Sequence, residues 1–62
     1  MTAVETVARL IASNTAHVAT ASIKSSAEFF ARAAKDRPKY ASSAAVYQRA
    51  LEIRDLDYPG NH

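Results

Sequence analysis

A chain of 62 residues without cysteine makes one small domain that disulfides cannot reinforce and thiolate metal sites cannot occupy. Such a chain buries a modest share of its surface, so association with another molecule is its remaining route to added stability. The net charge of +2 is small but uneven: residues 24–49 hold six bases against two acids, and residues 50–62 hold Arg54 against Glu52, Asp55 and Asp57. A basic middle suits a polyanion, and an ordinary solvated helix surface would give the same count.

The composition also argues against an enzyme. His17 and His62 are far apart with no carboxylate cluster nearby, and the single glycine, Gly60, cannot form a glycine-rich phosphate loop. No nucleophile–base pair or metal-ligand spacing is present, so no catalytic residue, metal site or cofactor is expected. No apolar run is long enough to span a bilayer. The N-terminal MTAVETVARLIAS lacks the basic start and continuous apolar core of a signal peptide. The expectation is a soluble cytoplasmic protein with no membrane partner.

In chain order, residues 2–13 read as a first helix. Thr2 and Glu5 have capping-box spacing, and Val4, Val7 and Ile11 form an apolar stripe with Leu10 beside it. Serine, asparagine and threonine at 13–15 are a plausible stop, because their side chains compete for backbone hydrogen bonds. Residues 18–24 then alternate: Val18, Thr20 and Ser22 on one side of a two-residue period, Ala19, Ala21 and Ile23 on the other. The pattern reads as a strand or, given its alanines, as helix. A lone strand leaves its backbone groups unpaired, so a strand here needs a partner from a second molecule. Ser25 and Glu28 repeat the capping-box spacing and predict a helix over 26–36, ended by Pro38. Ser42 or Ser43 then caps a last helix over about 44–56. Its apolar positions are Val46, Tyr47, Ala50, Leu51 and Ile53. The tail carries turn signals at Pro59 and Gly60.

The order helix, strand, helix, turn, helix, together with KYASSAAVYQRAL at 39–51, resembles the ribbon-helix-helix DNA-binding family of the Arc/MetJ type, which includes ParD-type antitoxins. The resemblance covers residues 18–56, about two thirds of the chain. Ile23 and Phe30 fall where that family places its last inward strand residue and a core residue of its first helix. Ala44 and Ala45 stand where many members have a serine–glutamate pair.

The resemblance implies a mainly α fold built as an intertwined homodimer. One short strand per chain would pair antiparallel across a two-fold axis, with an extra N-terminal helix. It divides the chain into an N-terminal helical extension (1–16), a ribbon-helix-helix domain (17–57) and a short tail (58–62). It further implies a transcriptional repressor whose two-stranded ribbon enters the major groove of double-stranded DNA. Thr20 and Ser22 would then face the bases, flanked by Val18 and Lys24. Ser42 and Ser43, with Lys39, would hold a phosphate at the start of the last helix. Adjacent dimers would join as a tetramer on DNA. Two other readings stand beside this one. An antitoxin would bind DNA and also engage a toxin through residues 2–13. A purely helical adaptor would have no nucleic-acid role, and in it residues 17–24 would be helix.

Overall fold

The computed structural model describes residues 2–58. They form α1 (Ala3–Ser13), α2 (Thr20–Asp36), a 3-10 turn at Pro38–Tyr40 and α3 (Ala41–Asp57). No strand occurs among the described residues.

The first helix starts as its capping box predicts: the Thr2 Oγ1 accepts a hydrogen bond from the Glu5 backbone N–H at 3.1 Å. Its buried line is Ala8 and Ala12, both fully buried, with Val4 and Ile11 half-buried beside them. Val7, expected on the inward stripe, is exposed, and so is Leu10. The helix stops at Ser13, and residues 14–19 turn the chain through the bonds of Val18 N–H and His17 N–H to the Asn14 carbonyl at 2.9 and 3.3 Å.

The predicted strand over 18–24 is not formed, so neither is the ribbon, and the ribbon-helix-helix dimer built on it is corrected to a three-helix chain. Instead α2 begins at Thr20, and the N–H groups of Ser22 and Ile23 both bond the Ala19 carbonyl. The physical reason is backbone satisfaction. A helix pairs these groups within the segment, whereas a strand would need a second chain. Ala19, Ala21 and Ala27 tolerate that choice, and Ile23 serves it as a fully buried core residue. Ser25 and Glu28 consequently lie in the middle of α2 and cap nothing.

Pro38 ends α2 as expected and opens the 3-10 turn, whose first position needs no N–H donor. The turn feeds straight into α3, the Ala41 N–H bonding the Pro38 carbonyl. The last helix therefore starts at Ala41, earlier than the predicted 44, and no side chain caps it. Ser42 and Ser43 sit inside its first turn rather than at its cap.

Both α1 and α2 pack on α3 and not along each other. The fully buried residues Ala8, Ala12, Ile23 and Ala50 meet with Ile53 in one core, so residues 1–16 and 17–57 share it. Alanines at the crossing of α1 and α3 let the two backbones approach closely. Further along α2, Phe30 stacks on Tyr47 at 5.5 Å between ring centroids and meets Tyr40 at 5.7 Å. These aromatics are packing residues, with Phe29 left 62% exposed at the cluster's edge. The turn signals at Pro59 and Gly60 lie outside the described residues.

Candidate functional site

Charge is used in three distinct ways along α3. In its last turn, Arg54 is 1% exposed. Its Nε donates to the Ala12 carbonyl at 2.9 Å and its Nη2 to the Ile11 carbonyl at 3.1 Å. Its Nη1 donates to the Val18 carbonyl and, at 3.4 Å, to the Thr20 Oγ1. The last carbonyls of a helix have no partner within it. Here the carbonyl of Leu10 receives the Ser13 hydroxyl, that of Ser13 receives the Thr15 N–H, and Arg54 serves the two between. A guanidinium also suits the partial negative charge at that helix end. Arg54 thus joins α1, the 14–19 turn, the start of α2 and α3 at one point.

At mid-helix, Arg49 joins α3 to α1. Its Nε and Nη2 donate to the two Glu5 carboxylate oxygens at 2.8 and 3.2 Å, and Arg9 donates to the same carboxylate at 2.8 Å. The Arg49 and then the Arg9 hydrogen bonds lower the Glu5 pKa from 4.5 to about 2. The Glu5 carboxylate in turn raises the Arg49 pKa. Glu52 adds a looser contact to Arg49 at 3.6 Å. Glu5 is thus the closest partner of Arg49, ahead of Glu52.

At the opposite end, the corner where α2 turns into α3 carries Lys35, Arg37 and Lys39 within five residues, opposed only by Asp36. All four are exposed. None of the three cations takes part in an ion pair among the described residues. The Lys39 ammonium lies 5.4 Å from the Tyr40 ring centroid. Ser42 is exposed and Ser43 half-buried in the first turn of α3. The residues expected to meet phosphate, Lys39, Ser42 and Ser43, are therefore neighbours at this corner.

The residues expected to meet bases are not gathered in the same way. Val18 is half-buried against the core and gives its carbonyl to Arg54. Thr20 is half-buried beside the same guanidinium. Ser22 and Lys24 are exposed, but helical geometry turns Ser22 by roughly 200° from Thr20, so the set shares no face. The start of α2 also lies roughly 24 Å along the helix from its basic end. The base-reading assignment of Val18, Thr20, Ser22 and Lys24 is accordingly withdrawn with the ribbon that carried it. The sequence reading missed Arg54. The available signal was the absence of a basic residue in the last turn of α1, whose carbonyls needed a donor from elsewhere.

No helix of the described residues is long and apolar enough to cross a membrane. Comparison with protein-family models, with curated proteins and with solved structures finds no match for this chain.

Proposed function

We propose that this chain is a small helical DNA-binding regulator that grips the phosphate backbone through the corner of Lys35, Arg37 and Lys39. The observation that carries the reading is that these three cations stand together, exposed and without an anionic partner. The acids Asp55 and Asp57 lie at the far end of α3, so the charge distribution is polar along the molecule and turns the basic corner toward a polyanion. The exposed Ser42 hydroxyl adds a neutral donor beside the cations.

The test is fluorescence anisotropy of labelled duplex DNA, one from upstream of the protein's own gene and one of random sequence and equal length, across a salt series. Three phosphate contacts give a slope of log K against log salt of about −2.7. A preference of at least about 10³ for the upstream duplex adds sequence-specific regulation to backbone binding. Absence of binding at low salt, or binding untouched by combined glutamine substitution of Lys35, Arg37 and Lys39, overturns the reading.

A second reading, a helical adaptor for a protein partner, is favoured by one observation. Leu10 is 66% and Leu56 74% exposed. Leu10 lines a surface groove with Thr6, Arg9 and Ser13 of α1 and Ile53 and Asp57 of α3. A toxin or other partner engaging residues 2–13 would meet Val7 and Leu10, since Ala8 and Ala12 are spent on α3. Co-purification of a second protein that is lost on Leu10→Asp substitution is the expected result of that reading.

A further inference from the structure

The outer face of α2 carries a stripe that the chain leaves unpartnered. Ser25, Glu28, Phe29, Arg32, Ala33 and Asp36 line a shallow surface depression of about 510 Å³, all from this one helix. Phe29 is 62% exposed there. Glu28, Arg32 and Asp36 form no ion pair among the described residues. From the start to the end of the helix the stripe reads polar, negative, aromatic, positive, small, negative.

We infer that this stripe packs antiparallel on the same stripe of a second copy of the chain. A two-fold contact requires one patch to complement itself. A two-fold axis between residues 30 and 31 meets that requirement. Phe29 then lies against Ala33 and Arg32 of the partner subunit. Glu28 comes within reach of the partner subunit's Arg32, and Ser25 faces the partner subunit's Asp36. Each of these contacts occurs twice. Ala33 leaves room for the ring, and the guanidinium can lie on its face. A parallel pairing would instead set Glu28, Arg32 and Asp36 each against its own copy. Lys24 and Lys35 border the stripe on one side, with Glu28 between them. The dimer uses no strand and none of the corner's three cations, and it stands independently of DNA binding.

The experiment is sedimentation equilibrium of the full chain across a concentration series, without DNA. A monomer–dimer equilibrium is expected. Phe29→Ala should weaken it at least about tenfold, as loss of a central aromatic anchor does. Glu28→Arg and Arg32→Glu should each weaken it by placing like charges together, and the double variant should restore it by exchanging the partners. Because all these residues are on the solvent face, circular dichroism should report unchanged helix content for each variant. A chain that stays monomeric throughout overturns the inference. So does association that ignores Phe29→Ala, or a double variant no better than the singles. DNA binding measured separately keeps its own outcome in every case.

Discussion

At the C-terminal end of α3 a guanidinium is buried, with carbonyls of α1 and of the following turn bonded to it. At the N-terminal end Lys35, Arg37 and Lys39 stand in water without an ion pair among the described residues. The same charge serves opposite ends because the surroundings differ. Inside, a donor that leaves water must find acceptors, and acceptors that leave water must find a donor, so each group fixes the other in place. Outside, water satisfies the cation, which adds little to stability and remains free to meet something else.

Substitutions can break this contrast from either side. The largest expected effect is that of Arg54→Ala. It leaves the carbonyls of Ala12 and Val18 without the guanidinium and the Ile11 carbonyl with only its Asn14 N–H, at about 1–3 kcal/mol for each group left unpaired. A domain of this size has total stability of only several kcal/mol, so the variant should be largely unfolded in water by circular dichroism and urea titration. A loss below about 1 kcal/mol would show that water replaces the guanidinium there. Arg54→Lys should fall between, since an ammonium cannot span the same acceptors.

A smaller effect is expected at Glu5. Its pKa is lowered from 4.5 to about 2 in the folded chain, chiefly by its Arg49 hydrogen bonds. A lowered carboxyl pKa stabilises the fold above the unfolded value and loses that contribution as pH falls. Wild-type stability should therefore decline from about pH 4.5 toward pH 2, and Glu5→Gln should remove this part of the decline. Thermal melts across that range check it. An unchanged slope would mean that the bridge to Arg49 contributes nothing in solution.

The smallest effect on stability should come from combined glutamine substitution of Lys35, Arg37 and Lys39: a change within about 0.5 kcal/mol. In DNA binding the order reverses, because this variant should flatten the salt dependence by about 2.7. A large loss of stability in it would mean that the corner is structural after all.

The start of α1 and the end of α2 were the most readable. The Thr2–Glu5 box opens α1 as its spacing predicts, and Pro38 ends α2 where the residue before proline must leave helical geometry. The stretch 18–24 misled because alanine, serine and threonine carry little period of their own. Its only large aliphatic side chains, Val18 and Ile23, are five residues apart, a spacing that belongs to neither period. What settled it was tertiary: Ile23 has a core to enter in a helix. Packing likewise reassigned α1. An inward line of Val4, Val7 and Ile11 is the more apolar choice, yet Ala8 and Ala12 give the closer approach to Ala50. The basic corner was countable in the sequence, but that its three cations form no ion pair among the described residues required the fold.

The Arg54 junction also bears on the order of events during synthesis. The first helix is made before the α3 it packs on, and isolated helices this short are marginal in water. Its Ala12 carbonyl waits for a donor 42 residues further on. The chain must therefore extend through Arg54 before the end of α1 has its final partner.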